Sequence, residues 1–186
     1  RQAIAQSCNV YFFRCAERMG HEHLISEARR VGMDQRPLLD LPSLRDSPIV
    51  PDPTWKKNRV GVNWTMEDTF NISIGQGGLR QSPLQMACFM AKLAANLKSF
   101  DPKITINPKP ESIPLEPLTD DASRQAIVDG MILATKEGTA RRCQIDGVLV
   151  AGKTGTGQWR NHNMKLNLAW FIGFAPADSP KVAVSV

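Results

Sequence analysis

Residues 147–186 read GVLVAGKTGTGQWRNHNMKLNLAWFIGFAPADSPKVAVSV. Three runs in this stretch are rich in β-branched and aromatic residues: Val148 to Ala151, Leu166 to Phe174, and the alternating Val182, Val184 and Val186. Short polar turns, Gln158 to Lys165 and Pro176 to Lys181, separate them, and connections of that length suit antiparallel neighbours. Upstream of Gly147 the period is helical. Ser82-Pro83-Leu84-Gln85 has the form of a capping box with proline at the first helical position, opening an apolar face along Leu84, Ala87, Ala91 and Ala94. Ile127, Gly130, Met131 and Ala134 fall in register for another helix, closed by Gly138. Nearer the start, VYFFRCAERM (residues 10–19) is apolar nearly all round and reads as a buried helix stopping at Gly20. A shorter helix follows, with Leu24, Ile25, Ala28 and Val31 on one face and Gly32 after it. Helices first and a terminal meander later predict an α+β domain, with helices packed on an antiparallel sheet.

The 186 residues suffice for one domain with a real core, and 42% hydrophobic with 22% charged residues excludes wholesale disorder, collagen and coiled coil. Lysine and arginine outnumber aspartate and glutamate 23 to 18, but the basic residues are scattered, which points to no nucleic-acid partner. Prolines 37, 42, 48, 51 and 53 predict an irregular connection over residues 33–64, and a second proline-rich connection spans residues 99–118. The longest apolar stretch, residues 166–177, is shorter than the roughly 20 residues a bilayer needs and reads as a core strand. The chain opens on Arg1-Gln2 and stops at Val186 inside an apolar alternation, so both ends read as cuts. Cys8, Cys15, Cys88 and Cys143 form no Cys-x-x-Cys pair and no zinc-finger pattern. His21 and His23 would point apart on a helix, so no metal is expected there.

Gly147 to Thr154 fits the phosphate-loop expression G-x-x-x-x-G-K-[ST] letter for letter. The mechanics disagree with the match. A phosphate cradle needs an open loop between its glycines and a helix starting at the lysine, whereas Val148 to Ala151 favour a strand and Thr154-Gly-Thr-Gly157 is poor helix material. Read instead as a strand edge, the segment offers an ammonium at Lys153, hydroxyls at Thr154 and Thr156, and open backbone at Gly155. Those groups can hold a substrate carboxylate while a main-chain N–H points at a reacting carbonyl oxygen. Far upstream, Ser7-Cys8-Asn9 precedes the aromatic helix, and Ser-x-Asn with a later Lys-Thr-Gly is the pair used by active-site-serine penicilloyl enzymes.

In order along the chain, SCNVYFF (7–13), LLDLP (38–42) with Trp55, DTFNISIGQG (68–77), SPLQMA (82–87), GTARRC (138–143), AGKTGTGQW (151–159) and AWFIGFAP (169–176) resemble the transpeptidase domain of class B penicillin-binding proteins. The elongation-type branch is the nearest. The resemblance implies a β-lactamase/transpeptidase-like fold, incomplete at both ends, with residues 1–186 as the C-terminal part of one domain. It implies a peptidoglycan D,D-transpeptidase in which a serine attacks the D-Ala-D-Ala amide of a stem peptide and the acyl group passes to an amine of a neighbouring strand. No cofactor enters this chemistry. Carried over by position, Ser7 and Asn9 are the proton relay and amide clamp. Lys153, Thr154 and Thr156 hold the terminal carboxylate, the Thr156 N–H is an oxyanion donor, and Gly155 gives clearance. β-Lactams would occupy the same place. For the whole protein the resemblance implies an N-terminal anchor in the inner membrane, an extracytoplasmic, periplasmic site, and a membrane glycosyltransferase that polymerises glycan as partner.

Three departures follow from the same comparison. The family's nucleophile belongs to Ser-x-x-Lys upstream of Ser-x-Asn, and none of the 186 residues forms that motif, so this polypeptide alone is expected to be inactive. Thr54-Trp-Lys-Lys57 offers Thr-x-x-Lys, but it follows Pro51-Asp-Pro53 directly and is rejected as lacking the helix turn the motif needs. Gly78 stands where the family tends to carry an aromatic residue, which leaves one wall of the groove more open, and Asn9 is often aspartate in the elongation-type branch. Two other functions share these motifs. A serine β-lactamase would use Glu67-Asp-Thr-Phe-Asn71 as its deacylating Glu-x-x-Leu-Asn, and a non-catalytic β-lactam sensor would lack the nucleophile.

Overall fold

A computed structural model describes residues 1–37, 48–98, 102–104, 116–161 and 164–186. The LLDLP segment and much of the second proline-rich connection lie outside the described residues. The helices are α1 (Gln2–Ala5), α2 (Asn9–Arg30), α3 (Pro53–Val60), α4 (Met66–Ser73), α5 (Pro83–Ala95) and α6 (Asp121–Lys136). A single 3-10 turn, Arg141–Cys143, leads to β1 (Ala151–Asn161), β2 (Met164–Ala175) and β3 (Val182–Ser185). The strands pair antiparallel in the order β1-β2-β3. Helices on an antiparallel sheet are the architecture the sequence predicts.

Local chemistry starts and stops these elements. Ser82 Oγ accepts from the Gln85 N–H at 3.3 Å and Gln85 Oε1 accepts from the Ser82 N–H at 2.9 Å, which closes the capping box ahead of Pro83. The buried face of α5 is Cys88, Met90, Leu93 and Ala94, rotated from the Leu84-Ala87-Ala91 face expected. Asp120 caps α6, whose Val128, Met131 and Ala134 are buried. Met90, Leu93, Leu118, Val128, Met131, Ala151, Phe174 and Ala177 form the core between α5, α6 and one half of the sheet. Buried Thr135 ties α6 to the approach of β1 by donating to the Val150 carbonyl at 2.8 Å. Burying such a hydroxyl without a partner would cost about 1–3 kcal/mol.

The structure revises several expectations. Gly20 does break the long N-terminal helix, with φ 79° and ψ 159°, but Val10, Tyr11 and Met19 are exposed rather than buried. Phe13 of the same segment stacks on Phe70 of α4, with ring centroids 5.1 Å apart. Residues 53–60 form α3 where irregular chain was expected, because Asp52 accepts from the Trp55 N–H at 2.6 Å as an N-cap and Pro53 sits in the first turn. Proline there starts a helix instead of breaking one. The ladder extends into the residues expected to turn, pairing Gln158 with Asn167, Arg160 with Lys165 and Asn161 with Met164. Only the inner end of β2 is core; Leu166 and Leu168 are exposed on a projecting hairpin.

Gly78 is also not open space. A Cβ there would stand 2.7 Å and 2.8 Å from the Trp55 ring and 3.2 Å from Pro51 Cβ, so Trp55 fills the volume that an aromatic side chain at position 78 would need. Gly78→Ala is expected to cost about 1–3 kcal/mol by overpacking, read as a lowered midpoint in chemical denaturation with a changed tryptophan emission. An unchanged midpoint would mean the ring is loosely held.

Candidate active site

Ser7 lies between α1 and α2, in the left-handed region at φ 52°. Turn bonds fix it there, with the Ser7 N–H donating to Ile4 O at 3.2 Å and the Cys8 N–H to Ala3 O at 2.9 Å. A non-glycine residue at such a φ costs about 1–2 kcal/mol, and strain of this kind concentrates at functional sites. Comparison of two variants isolates it. Ser7→Gly and Ser7→Ala both remove the hydroxyl, and the glycine variant is expected to be about 1 kcal/mol more stable than the alanine variant, the reverse of the usual order inside helices. Equal stabilities would show that the backbone relaxes.

Lys153 is the third residue of β1, and its Nζ donates to Ser7 Oγ and to the Thr154 carbonyl, the latter at 2.6 Å. Thr139, in the turn after α6, joins the two sides. Its hydroxyl lies 3.4 Å from Ser7 Oγ and 2.9 Å from Thr154 Oγ1. Its backbone N–H donates to Ala5 O at 3.2 Å. That approach requires glycine before it, since a Cβ on Gly138 would stand 2.2 Å from the Ala5 oxygen. Packing of α1 on α6 therefore sets Ser7 against Thr139, and the strand register sets Lys153 and Thr154 against both.

Partial burial pushes the Lys153 ammonium below its ordinary pKa of 10.5. No carboxylate pairs with it among the described residues. A desolvated cation beside three hydroxyls, with no counter-anion of its own, can take a substrate carboxylate or pass a proton through Ser7 Oγ. Arg141 and Arg142 line a hollow next to Thr139 and Thr154 and add positive charge at its border.

Of the residues expected at the site, Ser7, Lys153 and Thr154 come together. Asn9 is exposed at the first position of α2. Gly155 and Thr156 are exposed on β1, and a Cβ on Gly155 would meet Trp170 Cβ at an ordinary 3.4 Å. Two participants were missed by sequence reasoning. Thr139 stands in the GTARRC run and Gln76 between two glycines, where Gln76 Nε2 donates to the Thr156 carbonyl at 2.7 Å. A glycine on each side of a lone polar residue was the available signal.

The rejected Thr54–Lys57 pair does lie on a helical turn, contrary to the reason given against it. What separates it from the site is bonding: Lys57 Nζ donates to Asn63 Oδ1 at 3.2 Å, and Thr54 is exposed. Glu67 is likewise exposed, in the first turn of α4. Lys153 and Thr154 occupy a strand, with no helix starting at the lysine, so the phosphate-loop match lacks the helix it requires; of the Val148 to Ala151 run expected as a strand, only Ala151 belongs to β1. His21 packs against Trp64 with ring centroids 5.8 Å apart.

Known proteins resemble this chain along its whole length. Peptidoglycan D,D-transpeptidase MrdA of Acinetobacter baumannii is 30% identical over 206 residues, covering 100% of this chain and 30% of its own length. The PBP2 of Helicobacter pylori, solved in complex with MreC, superposes with a TM-score of 0.84 at 31% identity, over 98% of this chain and 35% of that one. PBP2 of Pseudomonas aeruginosa gives 0.82 at 31% identity, over 98% and 41%. The chain thus spans about a third of the length of the relatives it matches. The family profile described as the penicillin binding protein transpeptidase domain matches residues 1–186, and the chain belongs to that family.

Proposed function

We propose that residues 1–186 form the carboxylate-binding and proton-relaying part of a peptidoglycan D,D-transpeptidase whose nucleophilic serine lies outside them. The observation that carries this is the hydrogen bond from Lys153 Nζ to Ser7 Oγ, which joins residues 146 positions apart in one cleft. The stem peptide's terminal carboxylate would sit between Lys153 and the hydroxyls of Thr154 and Thr156, placing the scissile carbonyl oxygen at the Thr156 N–H. Asn9 would grip the peptide amide. The serine oxygen bonds to the carbonyl carbon, the C–N bond breaks, and D-alanine leaves as an amine with a proton relayed through Ser7. The acceptor amine then forms the new C–N bond as the ester C–O bond breaks, and the serine recovers a proton. β-Lactams would acylate the same serine. An extracytoplasmic location and a glycan-polymerising partner in the membrane belong to the same reading. No described helix is long and apolar enough to cross a membrane.

Intact mass after incubation with benzylpenicillin tests this. The 186-residue chain alone is expected to stay unmodified, and the protein encoded by the complete reading frame to gain one penicilloyl group. An adduct on the short chain would relocate the nucleophile into it, and rapid nitrocefin turnover by the complete protein would indicate a lactamase instead.

A further inference from the structure

Among the described residues β1 pairs with β2 on one side only, so no strand covers its other edge, a template for an extended peptide. In an antiparallel ladder the N–H and C=O of one residue face the same side and alternate along the strand. The outward residues are therefore Thr154, Thr156 and Gln158, since Gln76 reaches the carbonyl of one and the amide of another. Its Nε2 donates to the Thr156 carbonyl at 2.7 Å, and its Oε1 accepts from the Gln158 N–H at 3.3 Å. One carboxamide thus supplies the acceptor and the donor that a residue of an added strand would supply.

The loop between α4 and α5 is built to hold it there. Gly75 and Gly77 take φ of 77° and 75°, a region that disfavours side chains, and the Gln76 N–H donates to Asn71 O at 2.8 Å. The two backbone groups that Gln76 covers are not equally closed. A carbonyl has two lone pairs, so Thr156 O can accept again, whereas the Gln158 N–H carries one proton and it is engaged.

We propose that Gln76 is a strand-edge stop, which confines the backbone pairing of a bound acyl-donor peptide to Thr156 and denies it Gln158. This rests on the transpeptidase reading: with the carboxylate at Lys153 and Thr154, the upstream residues of the peptide run along the edge toward Gln158. The ligand class selected is a short C-terminal peptide, or a cyclic mimic, read through one backbone amide. Peptides that pair with two outward residues must displace Gln76.

The full-length enzyme and its Gln76→Ala variant are compared on two acyl donors, N-acetyl-D-Ala-D-Ala and a pentapeptide ending in D-Ala-D-Ala, by D-alanine release with a D-amino acid as acceptor. The kcat/KM ratio of long to short donor is expected to rise about fivefold to tenfold, chiefly through KM, as the Gln158 N–H becomes free to pair. Gln76→Met, which keeps the length of the side chain and loses both bonds, is expected to shift the ratio the same way and serves if the alanine variant does not fold. A ratio unchanged in a variant that still reacts with benzylpenicillin overturns the stop alone, as does an equal fall for both donors. A wild-type enzyme that forms no penicilloyl adduct overturns the transpeptidase reading and the stop with it.

Discussion

Lys153→Met in the full-length protein is expected to slow acylation by benzylpenicillin by about a hundredfold to ten-thousandfold, the range over which a positioned proton-transfer group acts. The lysine touches Ser7 Oγ directly and faces the cleft without a carboxylate partner among the described residues. Methionine keeps the length and apolar volume but removes both the charge and the donor. The second-order rate constant of adduct formation, followed by mass or fluorescent penicillin, checks this. A loss below about threefold would remove Lys153 from the relay.

The same variant gives a stability signature with a definite sign. Burial lowers the folded-state pKa of Lys153 below 10.5, so between the two values the unfolded chain binds more protons than the folded one. Stability attributable to this residue is therefore least below the folded pKa, where a charged ammonium is held partly desolvated, and rises with pH through that window toward 10.5. The difference in unfolding free energy, wild type minus Lys153→Met, is expected to grow as pH increases there. A flat difference would mean that solvent reaches the ammonium freely.

Gly138→Val is expected to lower unfolding stability by about 3 kcal/mol, at the upper end of overpacking costs, and the melting temperature by roughly 6–12 °C. A Cβ at this position meets the Ala5 oxygen at 2.2 Å and Ala134 Cα at 2.8 Å, both backbone. Neither can rotate out of the way, and Ala5 and Ala134 are fully buried. Relief requires α1 to separate from α6, which carries Ser7 away from Thr139 and Lys153, so penicillin acylation should fall together with stability. Calorimetry on the protein settles the first part. A melting point within about 1 °C of wild type would show that the α1–α6 contact is not rigid.

Much of the architecture was written locally. The Ser82 capping box, the glycine stops at positions 20 and 32, and the β-rich runs from Leu166 to Phe174 and from Val182 onward each act within a few residues, whereas Val148 to Val150, expected as a strand, lie before β1. Asp52-Pro53 was misjudged because proline reads as a breaker unless the preceding aspartate is recognised as an N-cap. Residues 158–161 and 164–165 were misjudged because an exposed ladder needs no apolar alternation once its partner strand is in register. Hydropathy cannot report a hydrogen bond made by the backbone.

The site divides in the same way. Ser-x-Asn and Lys-Thr-Gly are the residues the bare sequence offers for the proposed chemistry, because only certain side chains can relay a proton or hold a carboxylate. Which groups meet was decided by folding. Thr139 reaches Ser7 through the close approach of Gly138 to Ala5, and Gln76 reaches β1 through a loop bent at two glycines. The desolvation that lowers the Lys153 pKa and the left-handed backbone of Ser7 arise from packing of distant segments. Sequence by itself determined the elements and the chemical inventory, since those depend on neighbours along the chain; distances across 146 residues depend on where helices and strands come to rest against each other, and only the tertiary structure decides that.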